Sequence, residues 1–349
     1  MIRWEEQRAL PPPVAAILSG NSPRTDQEWK DALRYTDRFQ LTFALVKDGP
    51  PWVRAQVERD RVRNRARNAR ILNLLREVLL ATAGTDLVVL KGIAHWDLFH
   101  LHSDDRVQYD LDLYAPENLP RLDSFSPPPG YRWTGDFYDE ALPIEIDLHQ
   151  RLWNEEMEGF AAPGVEQFWD RRIWSERDGV RFQTLAPADA LAHAALHMLK
   201  HTLHGEARPA QAWEMASFLR YRADDAGFWR EWYALHPPEL RRIESIAFRF
   251  AAEWFGCPLP EEAAVLPPKI ERWFERHAAS PVTAFFQPNK DELALNLCLI
   301  DSAAAKARVV RRRLFPAKLP QPFSYAVARG VHHVRALLPA VSTMFRMRR

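Results

Sequence analysis

Cysteine is the rarest residue of this chain: only Cys257 and Cys298 occur among its 349 residues. Two isolated cysteines exclude a disulfide framework and offer none of the paired spacings that hold structural zinc. Glycine is also scarce, with 13 residues against 27 prolines, so long flexible linkers are not expected. No run of about 18 apolar residues predicts a transmembrane helix. The N-terminus lacks the apolar centre of a signal peptide, and we therefore expect a soluble cytoplasmic protein.

Charge is balanced overall but uneven along the chain. Lysine and arginine number 47 and aspartate and glutamate 46, so the net charge of +1 predicts no preference for an acidic partner. Arginine is concentrated in residues 54–70, where acidic residues and asparagines interrupt it and aromatic residues are absent. This pattern favours a solvated helix face over a nucleic-acid site. The basic segment 326–349 is interrupted by Pro339, which favours a packed or frayed terminal helix over a membrane or partner contact.

The hydrophobic pattern divides the chain into three regions. Residues 1–82 are predicted to be helical, with a long amphipathic helix that begins at the Gly-Pro-Pro of residues 49–51. Residues 83–184 are predicted to form a small mixed core of strands and helices, and residues 185–349 to be mostly helical. We therefore expect an α+β fold in which helices flank a small mixed sheet. The strands are predicted at residues 87–90, 107–114 and 142–148.

The first predicted strand ends directly before a glycine. Lys91 and Gly92 follow the apolar run, and a helix is predicted over residues 93–101. A glycine at this position lets the backbone approach a phosphate, and a helix N-terminus offers free N–H groups to it. A turn glycine with a purely structural role shows the same pattern.

Two aspartates share one face of the second predicted strand. Asp110 and Asp112 are separated by one residue, so their carboxylates point to the same side of the strand, roughly 6–7 Å apart. Carboxylates that face together repel each other unless a cation or a proton lies between them. The pair therefore indicates a cation site, although an Asp-x-Asp sequence also occurs by chance.

A third carboxylate, Asp147, lies on the third predicted strand, which carries Glu145 and His149 on the same face. If this strand neighbours that of Asp110 and Asp112, the three aspartates form an oxygen-rich pocket suited to Mg²⁺ or Mn²⁺. Two such ions about 3.5–4 Å apart hold the attacking and leaving oxygens in a phosphoryl transfer. The three aspartates are thus the predicted catalytic and metal-ligating residues. Glu145 is either a fourth ligand or, preferably, a residue that supports the ligands.

Together these motifs resemble the nucleotidyltransferase superfamily of the polymerase-beta type, and more narrowly an uncharacterised bacterial branch of it. The matching motifs are a Leu-Lys-Gly strand end, an arginine before an Asp-x-Asp strand, and an Ile-Asp-Leu-His strand. They lie at residues 90–92, 106–113 and 146–149. Further landmarks of the branch are Pro187, His197, Trp213, Glu214 and residues 313–316. The resemblance covers roughly residues 40–325.

The resemblance implies a polymerase-beta-like sheet and a role for each motif. Asp110 and Asp112 would ligate the metals that hold a nucleoside triphosphate, and Asp147 would ligate the second metal and help to deprotonate the acceptor hydroxyl. Gly92 would contact phosphate. The superfamily usually has Gly-Ser or Gly-Gly where this chain has Lys91, Gly92 and Ile93, so the phosphate-contacting serine is missing. Either Lys91 supplies a positive charge in its place or the nucleotide binds differently.

Arg106 and Glu214 are further candidates with alternative roles. The guanidinium of Arg106 can bind phosphates through two N–H groups, but it can equally pair with Asp104 or Asp105, or hold the strand acids. Glu214 matches an acidic position of the branch. A salt bridge on or between helices explains Glu214 equally well.

Four histidines occupy one face of the helix predicted after residue 187. Their spacing invites a zinc site, but the His-Glu-x-x-His pattern of zinc proteases is absent. A polar face beside the cleft, or buried histidines with partners, is favoured over zinc. His197 is the best cleft-lining candidate because it matches a landmark of the branch. The four are His193, His197, His201 and His204.

The expected reaction is transfer of a nucleoside monophosphate from an NTP, with ATP as the default, to an unidentified acceptor, with release of pyrophosphate. Two alternatives stay open: phosphoryl transfer or NTP hydrolysis at the same metal site, and a degenerate member that binds nucleotide or protein without turnover. The three aspartates argue against degeneracy, and the missing serine argues for it. Small hydroxylated molecules, peptides, protein side chains and RNA ends all remain acceptors to consider, although nucleic acid is not favoured as a partner.

Overall fold

The structure is a computed structural model that describes residues 12–99, 101–117, 122–125, 138, 142–204, 208–263, 265–277 and 290–314. Within these residues, five strands form one mixed sheet, and helices precede and follow it along the chain. This arrangement confirms the predicted α+β fold. The basic segment 326–349 lies outside the described residues.

The helical region before the sheet follows local sequence signals. Its described helices are α1 (Pro12–Leu18), α2 (Asp26–Arg38), α3 (Thr42–Leu45) and α4 (Pro51–Ala81). The α2 helix begins with a capping box, in which the Thr25 hydroxyl accepts from the N–H of Glu28 and the Glu28 carboxylate accepts from the N–H of Thr25. The long helix α4 begins at Pro51, as predicted, because the first turn leaves its N–H groups unpaired and proline has none.

One arginine of α4 departs from the predicted solvated face. Arg59 and Arg70 are exposed, but the side chain of Arg67 is completely buried. Its guanidinium donates to the carbonyl oxygens of Gln108 at 2.9 Å and Leu142 at 2.7 Å. The predicted solvated face is therefore wrong for Arg67, which ties α4 to the chain just before the second and third strands.

The sheet is built from three predicted strands and a hairpin that was not predicted. Its strands are β1 (Val88–Val89), β2 (Asp110–Tyr114), β3 (Glu145–His149), β4 (Ile173–Arg177) and β5 (Val180–Thr184). They lie in the order β3-β2-β1-β5-β4. Strand β2 is parallel to β3 and antiparallel to β1, and β1 is parallel to β5. Asp178 and Gly179, both with positive φ, turn the β4–β5 hairpin, as Asp-Gly pairs commonly do.

Short and long helices complete the fold. A 3₁₀ turn at Gly92–Ala94 leads into the one-turn helix α5 (His95–Leu98), where a longer helix was predicted. After β3 come α6 (Glu155–Glu158), α7 (Pro187–Leu203), α8 (Pro209–Tyr221), α9 (Ala226–Leu235), α10 (Pro238–Phe255), α11 (Pro268–His277), α12 (Lys290–Leu299) and α13 (Ala303–Leu314). Four of these were predicted, namely α7, α8, α10 and α11, and each begins at a proline. In the described ranges, no helix has the length and apolarity to cross a membrane.

Apolar side chains cover both faces of the sheet. On one face, Leu111 and Leu113 of β2 pack with residues of α4 such as Leu75. On the other face, Tyr114 joins the larger core formed by α7, α8 and α10. Successive side chains of a strand alternate between faces. Burial of Leu111 and Leu113 against α4 therefore directs the aspartates of β2 to the α7 side.

All three predicted regions contribute to this larger core. Ala32 comes from the N-terminal helices, Tyr114 from the sheet and Leu196 from α7. The predicted boundaries after residues 82 and 184 fall just beyond the ends of α4 and β5. As divisions between domains they stay a prediction.

Candidate functional site

The candidate site lies where β2 and β3 run side by side on the α7 face of the sheet. Their parallel register pairs Asp110 with Glu145 and Asp112 with Asp147. Paired residues of neighbouring strands present their side chains to the same face. The three predicted aspartates therefore share one face, and Asp112 and Asp147 are direct neighbours across it.

Three side chains of this face form a group that can hold a metal ion. Asp112, Asp147 and His149 each offer one ligand atom, and these atoms lie within 4.8 Å of one another. Nε2 of His149 lies 3.2 Å from Oδ1 of Asp112. Asp112 is buried, His149 is half-buried and Asp147 is exposed, so the group opens toward solvent. Two carboxylates suit Mg²⁺ and Mn²⁺, and the imidazole adds a ligand that transition metals accept.

Lys91 lies between the two aspartates of β2. Its Nζ is 3.0 Å from Oδ2 of Asp112 and 3.6 Å from Oδ2 of Asp110. Burial lowers the pKa of Lys91, but the carboxylates of Asp110 and Asp112 outweigh burial and raise this pKa above its ordinary value. The ammonium is therefore charged and paired with carboxylates. Its predicted contact with phosphate stays a prediction.

The two aspartates of β2 differ in their electrostatic setting. Burial raises the pKa of Asp110, and the nearby ammonium of Lys91 opposes this only in part. Burial also acts to raise the pKa of Asp112, but Lys91 and the hydrogen bond from His149 outweigh it and lower this pKa to about 2. Asp112 is therefore held firmly as a carboxylate.

Gly92 is required by the packing beneath β2. Its φ is +66°, a conformation that favours glycine, and a Cβ at this position would lie 2.0 Å from Nε2 of Gln108. Gln108 uses that nitrogen to donate to the backbone oxygen of Asp110 at 2.8 Å. The structural role of the turn glycine is thus evident, and its predicted phosphate contact stays a prediction.

Arg106 forms a buried ion pair with Glu214 of α8. Its Nε lies 2.7 Å from Oε1 of Glu214 and a terminal nitrogen lies 3.4 Å from Oε2. Nδ1 of His95 is 3.9 Å from the same carboxylate. Burial acts to raise the pKa of Glu214, but Arg106 and His95 outweigh it and lower this pKa to about 2. Asp104 and Asp105, the alternative partners for Arg106, pair with other cations instead.

A cleft that opens to solvent adjoins this site between the sheet and helices α7 and α8. Arg208, which lies on its wall, donates to the hydroxyl of Tyr109 at 2.8 Å. The lining includes Lys91, Arg106, Asp110, His197, Arg208 and Gln211.

The histidines of α7 divide between the cleft and other surroundings. His193 and His197 line the cleft, and Nδ1 of His197 accepts from Nε2 of Gln211 at 2.9 Å. Burial lowers the pKa of both histidines, so they are neutral near pH 7. His204 instead lies 3.0 Å from the carboxylate of Glu158. The four predicted histidines therefore do not form one metal-ligand group within the described residues.

Several cleft residues were missed by the sequence analysis. Gln211 precedes Glu214 by three residues and so shares its helix face, which is the one signal that pointed to it. His95, Tyr109 and Arg208 carry no comparable signal, because only the packing of distant elements brings them to the cleft. Glu145 is exposed beside Asp110 and is not part of the metal-ligand group.

The fold and this site define a class: an α+β protein with carboxylates and an imidazole converging on one sheet face beside an open, polar cleft. Comparison with known families then gives a match over residues 30–256 to a family described as an uncharacterised nucleotidyltransferase. The chain belongs to this nucleotidyltransferase family. The match confirms the resemblance inferred from the motifs, and it includes the whole sheet and the cleft. Neither the curated proteins nor the solved structures gave a significant match.

Proposed function

We propose that this protein transfers a nucleoside monophosphate from an NTP to an acceptor hydroxyl and releases pyrophosphate. The observation that supports this most directly is the convergence of Asp112, Asp147 and His149 within the region matched by the nucleotidyltransferase family. In the balanced reaction, the acceptor oxygen forms a bond to the α-phosphorus. The bond from this phosphorus to the bridging oxygen breaks, and pyrophosphate leaves with the electron pair.

The residues of the site fit a divalent ion, with Mg²⁺ or Mn²⁺ expected. Asp112, Asp147 and His149 would hold it, and it would supply positive charge to the phosphates and acidify the acceptor hydroxyl. Asp147 is the exposed carboxylate of the group, and in this proposal it takes the proton of that hydroxyl. Lys91 and Arg106 line the cleft and provide positive charge toward phosphate oxygens.

The cleft beside Asp110 is the proposed substrate site. Its walls combine cations with neutral hydrogen-bonding groups, among them Gln211 and the histidines of α7. The cleft is open and carries several polar side chains, so one small molecule or one projecting side chain of a peptide can enter it. ATP is the default nucleotide, and the acceptor remains to be identified.

The test is a search for labelled products. The protein is incubated with Mg²⁺, a small-molecule cell extract and each NTP labelled at the α-phosphate, and acceptors are identified by mass spectrometry. Pyrophosphate release and a labelled product, both lost in Asp112→Asn, are the expected results. Formation of a nucleoside diphosphate without pyrophosphate would instead identify phosphoryl transfer or hydrolysis. Nucleotide binding without any product would identify a degenerate member of the family.

A further inference from the structure

The metal-ligand group in the structure differs from the set of residues that the sequence predicts. The sequence predicts that Asp110, Asp112 and Asp147 surround two ions. The structure instead brings His149 together with Asp112 and Asp147, and Asp110 is outside this group. Asp110 lies on the same sheet face as Asp112 and Asp147. The strand register therefore does not explain why Asp110 is outside the metal-ligand group.

The reason for this difference is the position of Lys91. Its ammonium lies 3.0 Å from Asp112 and 3.6 Å from Asp110, so it fills the space between the two carboxylates. Two carboxylates on one strand face need a cation between them, and here a side chain of the protein is that cation. A divalent ion at the same place would be repelled by the ammonium at short range.

The fold fixes Lys91 in this position. The N–H of Leu90 donates to the backbone oxygen of Asp112 at 3.1 Å, which holds the end of β1 against β2. Gly92 follows with its positive φ and packs directly on Gln108. The chain on both sides of Lys91 is therefore attached to the strand that carries the aspartates. The Lys91 side chain itself is only 15% exposed.

We propose that Lys91 permanently replaces a second metal ion, so that this protein binds a single divalent ion through Asp112, Asp147 and His149. Asp110 is then the partner of Lys91 rather than a metal ligand. This inference rests on the proposed function, because it states how many metal ions the transferase site binds.

Metal titration of the full-length protein tests the ligand set. Mn²⁺ alone is the probe, and electron paramagnetic resonance of the free ion gives the stoichiometry and affinity. Wild type is expected to bind one Mn²⁺, and Asp112→Asn and His149→Ala to weaken it at least about tenfold. Asp110→Asn, the matched control from the same strand face, is expected to stay within about threefold of wild type, because it removes no ligand. Equal losses in Asp110→Asn and Asp112→Asn would overturn the proposal.

Substitution of Lys91 tests its part directly. Lys91→Met removes the ammonium and keeps the length of the side chain, so the freed aspartates are expected to bind a second Mn²⁺. Lys91→Arg keeps the charge and is expected to bind one. If Lys91→Met does not fold, as judged by circular dichroism, the comparison of the two aspartate variants decides the question.

A nucleotide complex distinguishes the failure of this inference from failure of the proposed function. Crystals of wild type with Mn²⁺ and α,β-methylene-ATP are examined by anomalous diffraction, and one manganese peak is expected at the three ligands. Two manganese ions at the site, with Lys91 moved to the phosphates, would overturn the inference and leave the transferase function standing. Absence of any metal binding, with or without nucleotide, would contradict both.

Discussion

Two buried polar clusters of this molecule are built from similar residues but differ in how completely they are paired. The first lies among the C-terminal helices. Its central residue is His236, whose Nε2 lies 3.1 Å from Asp189 and whose Nδ1 lies 2.9 Å from Glu244. The remaining oxygen of Glu244 accepts from Trp232 at 2.7 Å, and Arg171 donates to both oxygens of Asp189. Every carboxylate oxygen of this cluster thus has a donor.

The second cluster, at the candidate site, is incompletely paired. Arg106 and Glu214 bind each other, but both ring nitrogens of His95 and Nδ1 of His193 are buried without a hydrogen-bond partner among the described residues. Oε1 of Gln211 is in the same condition. All these side chains line the cleft.

The difference separates a structural role from a binding role. Buried polar groups without partners are costly, and ordered water or a ligand completes them. The cluster around His236 needs no ligand, so its expected contribution is to stability. The cluster at the cleft has unpaired hydrogen-bond donors and acceptors, which a bound substrate can use.

The largest effect is expected at the metal-ligand group of the candidate site, for Asp112→Asn. Loss of the carboxylate removes a metal ligand, so pyrophosphate release should fall at least about a thousandfold, equivalent to about 4 kcal/mol of transition-state stabilisation. Thermal melting with and without Mn²⁺ is the companion measurement. The metal should stabilise wild type, because it binds the folded state, and should not stabilise the variant. Retention of full activity by Asp112→Asn would refute the mechanism.

The next effect is expected at the His236 cluster, and on stability alone. His236→Ala leaves the buried carboxylate of Glu244 without a cation and Asp189 with Arg171 alone, and it should lower the free energy of unfolding by about 3–5 kcal/mol. Urea unfolding measures this change. The control is Arg34→Ala, because its salt bridge is exposed and should contribute less than about 1 kcal/mol. Unchanged Mn²⁺ affinity in folded His236→Ala is expected, and a large loss would mean that the clusters are coupled.

The two clusters should respond to pH in opposite directions. Burial acts to lower the pKa of His236, but the hydrogen bonds that its ring donates to Asp189 and Glu244 outweigh burial and raise this pKa to about 9. Its stabilisation is complete below its unfolded pKa of about 6.5 and is lost as the pH rises through 9. Burial lowers the pKa of His193 to about 3, so its contribution is present above pH 6.5 and is lost as the pH falls toward 3.

The free energy of unfolding, measured between about pH 3 and pH 9, tests these opposite pH responses of the two clusters. The alkaline decrease should reach about 3 kcal/mol in wild type and should be smaller in His236→Ala. The acidic decrease should be smaller in His193→Gln. If His193→Gln instead changes the decrease in unfolding free energy at alkaline pH, the proposed contrast between the two clusters is wrong.

The smallest effect is expected from Arg67→Lys. Lysine keeps the charge but not the planar set of donors that binds the carbonyls of Gln108 and Leu142, so stability should fall by about 1–3 kcal/mol. These carbonyls precede β2 and β3, and Mn²⁺ affinity should therefore weaken as well. Arg59→Lys, at an exposed position of the same helix, should change neither quantity. A loss of stability without any change in Mn²⁺ affinity would limit Arg67 to a structural role.

Features with a local pattern were predictable from the sequence. The alternation around Asp110 and Asp112 gives strand β2 and its acidic face, and helix α4 follows from its period and its prolines. The hairpin of β4 and β5 also has a local signal, the Asp-Gly turn at residues 178–179, but it was overlooked. Helix α9 was missed as well.

Features that depend on distant pairing were not predictable. His149 approaches Asp112 only because β2 and β3 are parallel and in one particular register. Arg106 meets Glu214 across a separation of 108 residues. Similarly, the burial of Arg67 depends on carbonyls that lie far along the chain. Periodicity gives the face on which a side chain lies, but the partner on another element is decided by tertiary packing.

The ion pair of Arg106 and Glu214 has a consequence for biosynthesis. Its partners are 108 residues apart, and the histidines of α7 also line the cleft. The site therefore cannot assemble until helix α8 has emerged from the ribosome. Contacts of such long range form late, since the intervening chain must first lose its conformational freedom. A nascent chain that ends before α8 therefore carries the aspartates of β2 and β3 without the walls of the cleft, and we expect it to be inert toward nucleotides.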